Sequence, residues 1–174
     1  MSHSRFDVLL NALLAVACLA VTAASVKRLV AEPQQASPQA GYAIGDVLPS
    51  IPGVNYGDRE QTLVMFLSSN CRYCTESAPF YSALTARRDA ASVRIVAVGT
   101  EPQEALSSYL EDHSVRTDNV VTVTPGTFRV RGTPTLVLVN RKGEVHALWR
   151  GALRGREGEV EAAVLGPQDV RVER

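Results

Sequence analysis

The chain reads as one α/β domain, a mixed sheet covered by helices, standing behind an N-terminal apolar segment. Three observations predict this. Hydrophobic periods run strand, helix, strand, helix and then strand, strand, helix, the order of a sheet with both parallel and antiparallel neighbours. The run Thr62 to Leu67 (TLVMFL) is apolar almost throughout, as a strand buried on both faces requires. A length of 174 residues fits one domain plus a tail, since domains run to roughly 100–200 residues.

From the N-terminus, Val8 to Val26 (VLLNALLAVACLAVTAASV) holds nineteen residues without a charge, and a helix of about 20 residues spans a bilayer core. Residues 1–28 are therefore expected to form a transmembrane helix. A cleaved signal peptide is the competing reading, because Ala20, Ala23 and Ala24 suit a signal peptidase. Against it, the apolar stretch exceeds the roughly 7–15 residues of a signal core, and Arg5 is offset by Asp7. Lys27 and Arg28 follow the segment, so the positive-inside rule on its own favours a cytoplasmic domain. Residues 29–41, rich in Ala, Gln, Pro and Ser, read as a flexible linker, and the folded domain is assigned to 42–174.

Within that domain, Asn70 is a good N-cap after the first strand, so a helix should open with Cys71 in its first turn and run toward Ala90, bent or interrupted at Pro79. A second strand covers 93–99. Thr100-Glu-Pro-Gln103 has capping-box spacing, and Ala105, Leu106, Tyr109 and Leu110 mark one helical face after it. A short strand is expected at 120–123. Pro134 to Asn140 and Glu144 to Arg150, split by Arg141-Lys-Gly143, read as an antiparallel hairpin with Trp149 in the core or at an edge, and Glu157 to Leu165 as a closing helix.

Eighteen basic and eighteen acidic side chains cancel, so no positive field exists to gather phosphates, and nucleic acid is excluded as a partner. Three cysteines, Cys18, Cys71 and Cys74, are too few for a disulfide scaffold. Cys18 reads as an apolar residue of the anchor. A Cys71–Cys74 disulfide closes too short a loop to stabilise much, so the pair is better explained by reactivity than by stapling.

The spacing Cys71-Arg-Tyr-Cys74 at a helix start puts both sulfurs on one turn. Free N–H groups and the positive end of the helix dipole favour Cys71 as thiolate, and Arg72 can add to that field. Cys71 would attack a substrate disulfide, and Cys74 would resolve the mixed disulfide by attacking Cys71. Either direction of electron flow is compatible with these residues. A lone C-x-x-C can also hold a soft metal, copper or zinc, and binding of such an ion is the alternative function; no second cysteine pair or histidine cluster completes a tetrahedral site, and His113 and His146 are isolated.

Several motifs taken together resemble a known group. Ile44-Gly-Asp-Val-Leu-Pro49, the passage LVMFLSSNCRYC, Pro79 five residues after Cys74, and Val130-Arg-Gly-Thr-Pro134-Thr before an apolar strand are similar to the membrane-anchored TlpA/ResA-type disulfide reductases of thioredoxin fold, over about residues 44–165. The resemblance implies a thioredoxin fold and a catalytic pair Cys71 and Cys74. It also implies a cis Pro134 beside them, with Thr133 offering its backbone to an extended substrate strand; Arg72 and Tyr73, between the cysteines, read as substrate-binding residues, Tyr73 exposed to substrate or else packed beneath the helix. It further implies a protein disulfide reductase that needs no cofactor or metal and acts on protein disulfides or dithiols. Such a protein would be single-pass in the inner membrane, face the periplasm and be recycled by a membrane electron donor.

Departures from that pattern are specific. Asn70 replaces the tryptophan usual before the first cysteine, and Ser77 stands where the group often has an acid, with Glu76 one place earlier and so turned by about 100°. Met65 occupies the region of the buried acid that thioredoxins carry. Proton transfer to Cys74 is thereby left to Glu76, to water or to substrate. Arg129 and Arg131 are expected to face solvent.

Overall fold

The computed structural model describes residues 41–90 and 92–166. The expected anchor and nearly all of the linker lie outside the described residues, within which no helix is long and apolar enough to cross a membrane.

Among the described residues five strands form one sheet: β1 (Gln61–Phe66), β2 (Val93–Gly99), β3 (Asn119–Thr122), β4 (Thr135–Asn140) and β5 (Val145–Arg150), in the order β3-β2-β1-β4-β5. β1 and β2 run parallel, as do β2 and β3, while β4 is antiparallel to both β1 and β5. β1 and β3 begin one residue earlier than their apolar runs, because Gln61 and Asn119 still pair through their backbones. The hairpin β4–β5 turns at Gly143, whose φ of +76° and closeness to the Tyr56 ring (2.9 Å from an added Cβ) exclude any side chain. A register shift between Leu138 and Val139 places exposed His146 in a bulge and keeps Trp149 inward, opposite Leu136.

Among the described residues the α-helices are α1 (Arg72–Arg87), α2 (Gln103–Asp112) and α3 (Glu157–Leu165), with a single 3-10 turn at Tyr56–Asp58. α1 turns Cys74, Ala78, Tyr81, Leu84 and Thr85 inward, a helical stripe. Pro79 does not interrupt it: Pro79 and Thr75, whose carbonyl loses its partner, both face solvent, so water can satisfy that carbonyl. α2 buries Leu106, Tyr109 and Leu110, but Ala105 is exposed, so the buried face is narrower than the sequence predicts. The expected capping box at Thr100 does not form either. The helix begins two residues later than that spacing implies, with Pro102 as its N-cap, and proline has no side-chain oxygen to accept an N–H.

All three helices pack on one face of the sheet, with Leu63, Met65, Ile95, Ala97, Leu136 and Leu138. The reason is handedness: the crossovers β1–α1–β2 and β2–α2–β3 step in the same direction, and right-handed connections then fall on the same side. The opposite face, Val64, Phe66, Val96, Val98, Val137 and Val139, is covered by irregular chain carrying Tyr42, Leu48, Ile51 and Phe128. Arg129, expected in solvent, is drawn into this cover. It pairs with Asp46 at 3.0 Å and lies 4.7 Å over the Tyr42 ring.

Candidate active site

Sheet register assembles the site. Because β4 is antiparallel to β1 with Phe66 opposite Thr135, the segment entering β4, Thr133-Pro134, lies beside the segment leaving β1, Leu67 to Cys71. Because β2 is parallel to β1, Thr100 and Glu101 emerge at the same end. Glu101 holds the exit of β1: its carboxylate accepts from Ser69 N at 2.6 Å and from Ser69 Oγ at 2.5 Å. Spacing within the sequence marks Glu101 as part of a helix start, and only its contact with a residue 32 positions away gives it this role.

Cys71 itself is the N-cap of α1, one residue later than the Asn70 cap that the sequence predicts. Its sulfur does the capping, accepting the Cys74 N–H at 3.1 Å, so the helix has no need of the Asn70 amide. The thiol also donates to the Thr133 carbonyl at 3.3 Å, across 62 residues of sequence. The Thr133–Pro134 peptide bond is cis, as the resemblance implies, and Pro134 is buried. Both cysteines are free thiols.

Their environments push the two thiols apart. Partial burial of Cys71 opposes ionisation, but hydrogen bonding from Cys74 and Thr133 and from the backbone N–H groups of Cys74 and Tyr73 outweighs it, and the thiol falls below its ordinary value. Cys74, with no exposed surface, is pushed up to about 12 by burial and by the neighbouring Cys71 sulfur. One thiol is thus accessible and readily ionised, and the other is held protonated behind it.

The flanking pair behaves differently. Arg72 points away: its side chain is 85% exposed and its Nε donates to Glu76 at 2.7 Å. Glu76 is occupied by that pair on the helix surface. Tyr73 is 46% exposed at the lip, with the Arg154 guanidinium 5.6 Å over its ring. A groove of about 330 Å³ opens beside Thr133, walled by Phe66, Val98, Val123, Phe128 and Val130. Among the described residues, no three His, Cys, Asp or Glu side chains gather into a metal site.

The model of the thioredoxin-like domain matches residues 55–162 of the chain, more than half its length. The chain belongs to this thioredoxin-like family. Comparison with curated protein sequences gives no match. Among solved structures it is similar to the thioredoxin domain of a thiol-disulfide oxidoreductase from Bacteroides vulgatus, with 20% identity over 71% of this chain and 99% of the other and a TM-score of 0.57. It is similar as well to a Chlorobium tepidum protein assigned as the thiol:disulfide interchange protein DsbE (24% identity, 72% and 100% covered, TM-score 0.56). StoA from Bacillus subtilis is a third such structure (21% identity, 72% and 96% covered, TM-score 0.50). At these identities the similarity is one of fold, a mixed sheet flanked by helices.

Proposed function

We propose that the chain is a thiol-disulfide oxidoreductase that reduces protein disulfides outside the cytoplasm, tethered by the apolar segment Val8–Val26 and recharged by a membrane electron donor. The observation that carries this reading is the pairing of a partly buried Cys71 at the N-terminus of α1, its sulfur accepting the Cys74 N–H, with a fully buried Cys74 one turn inside. Extracytoplasmic location and the reductive direction follow from the resemblance to the TlpA/ResA-type group.

In the proposed cycle the Cys71 thiolate attacks one sulfur of the substrate disulfide. A Cys71–substrate bond forms, the substrate S–S bond breaks, and the departing sulfur takes a proton. Cys74 then loses its proton and attacks Cys71 Sγ, forming the Cys71–Cys74 disulfide and releasing the second substrate thiol. Two electrons pass from the dithiol to the substrate. Thr133 sits where an extended substrate strand can align its backbone, and Tyr73 and the groove beside Thr133 offer contacts to flanking side chains.

Replacing Cys74 with Ser leaves the attacking thiol and removes the resolving one, so the C74S protein should accumulate mixed disulfides through Cys71, detectable as reducible adducts on non-reducing gels. A C74S protein that traps no partner from an oxidised extract, while the wild type retains one soft metal ion per chain against a chelator, would overturn the enzymatic reading in favour of metal binding.

A further inference from the structure

Beneath the first turn of α1, two tyrosine hydroxyls are buried without a hydrogen-bond partner, those of Tyr81 and Tyr109. Tyr81 has no exposed surface and lies on the same inward stripe as Cys74, two turns further along α1. Side chains on a helix lean toward its N-terminus, which directs the Tyr81 ring back toward Cys74. Tyr109 enters the same buried cluster from α2. Each phenol lies within the electrostatic reach of both sulfurs; Tyr81 also senses Tyr109, and Tyr109 also senses Glu101. The hydroxyls of Ser77 and Thr75 adjoin Tyr81 and Tyr109 respectively, and Thr75 is exposed. Two unpaired phenols thus share the buried cluster of a thiol that has no exposed surface, and the hydroxyl beside Tyr109, that of Thr75, reaches solvent.

Folded proteins keep few buried polar groups unpaired, because each forfeits its bonds to water, and phenylalanine would fill either space without that loss. The need is equally plain. Cys74 must release a proton to attack, Met65 stands in the strand where an acid would serve, and Glu76 is held on the surface by Arg72. Burial raises both phenols, Tyr109 to about 12, so at neutral pH each is an uncharged O–H that can accept from one neighbour and donate to another.

We propose that Tyr81 and Tyr109 are positioning residues for Cys74, relaying its proton outward toward Thr75 and then donating hydrogen bonds toward the Cys74 thiolate while it attacks. The inference rests on the thiol-disulfide exchange reading above. As Cys74 ionises, its proton passes to a phenol oxygen, which gives its own proton to the next hydroxyl, and each tyrosine is neutral before and after. The thiolate then forms the bond to Cys71 Sγ. The Cys71–substrate bond breaks, and the electron pair leaves on the substrate sulfur, which takes a proton from solvent. The groups facing Cys74 during this titration are Cys71, Thr133 and the Ser68 backbone, with Tyr81, Tyr109 and, around Tyr109, Glu101 and His113, whose ring lies 4.7 Å from that of Tyr109.

The test uses the full chain in its dithiol form and an aromatic disulfide reagent that liberates one coloured thiol when Cys71 attacks and a second when Cys74 resolves. Y81F and Y109F should leave the first phase unchanged and slow the second by roughly tenfold or more, the worth of a hydrogen bond to a charged group, with the pH profile of the second phase displaced upward. In the wild type, the second phase alone should slow about twofold in heavy water, a measurement that needs no variant to fold. A second phase that keeps its rate and pH profile in both variants, or that is unaffected by heavy water, would mean the hydroxyls are orphaned polar groups only and would overturn the inference. A wild-type chain with no first phase would instead overturn the exchange reading on which it rests.

Discussion

On one face of the sheet, Leu63, Met65, Ile95 and Leu136 meet three helices, and among them lie a buried thiol and two unpaired phenols. On the other, Val64, Phe66, Val96 and Val137 meet no α-helix, only a cover of largely irregular chain from Tyr42 to Val54, a single 3-10 turn at Tyr56–Asp58 and the chain around Phe128. The strands contribute equally apolar side chains to both. What differs is the cover. A reactive thiol needs a helix N-terminus, and two right-handed crossovers stepping the same way deliver every crossover helix to one side. Reactivity is therefore concentrated on the helical face, and the other face supplies packing, a groove wall and a fixed platform for the sheet.

The largest effect that can break this comparison comes from the face without helices. Leu48 is buried there in chain with no regular structure, held by the bond from its N–H to the Gly143 carbonyl at 2.8 Å. Leu48→Ala should destabilise the protein by about 2–5 kcal/mol in urea unfolding, as truncation of a core leucine does, while the pH dependence of Cys71 alkylation stays in place. A small loss would mean that the irregular cover is not core. A moved titration would mean that the two faces are not separable.

Glu101 gives a smaller effect at the junction of the elements that form the site. Glu101→Ala leaves the Ser69 N–H without its carboxylate, and the expected loss is about 1–3 kcal/mol, with faster amide exchange at Ser69. Because Ser69 lies two residues before Cys71, alkylation of Cys71 should also change rate. If neither exchange nor alkylation responds, the 2.6 Å bond is not what holds the exit of β1.

How much of this was legible beforehand depended on the range of the interaction. Strand β2 and helix α3 agree with the sequence residue for residue, and the hairpin agrees except that each strand starts one residue later, because period and turn chemistry are local. The pair Cys71 and Cys74, and Thr133-Pro134 beside them, were legible as motifs, and the register of β1 against β4 explains their meeting. The N-cap was misplaced by one residue because capping propensities rank Asn highly and take no account of a thiol that can accept the same N–H. Glu101, Tyr81 and Tyr109 were out of reach for a different reason: each acquires its role from a partner on another element. Tyr42 to Val54 falls inside the assigned domain, but chain that lacks a period does not announce which face of the sheet it covers.

Arg72 separates motif from geometry at the smallest scale. Its place between the cysteines makes it the obvious cation for a thiolate, yet its guanidinium is turned to Glu76 and to solvent, where a charge is screened and an i,i+4 pair contributes roughly 0.3–0.5 kcal/mol. Hydrogen bonding from Cys74, Thr133 and the α1 backbone lowers the Cys71 thiol. If those bonds suffice, Arg72→Ala leaves the midpoint of Cys71 alkylation where it was, still below the ordinary thiol range. If the guanidinium field stabilised the thiolate, its removal would move that midpoint upward, the direction that weaker support of an anion always takes. A clear upward shift would therefore return Arg72 to the site, and an unmoved midpoint would leave Cys71 to the helix start and its sulfur-capped turn.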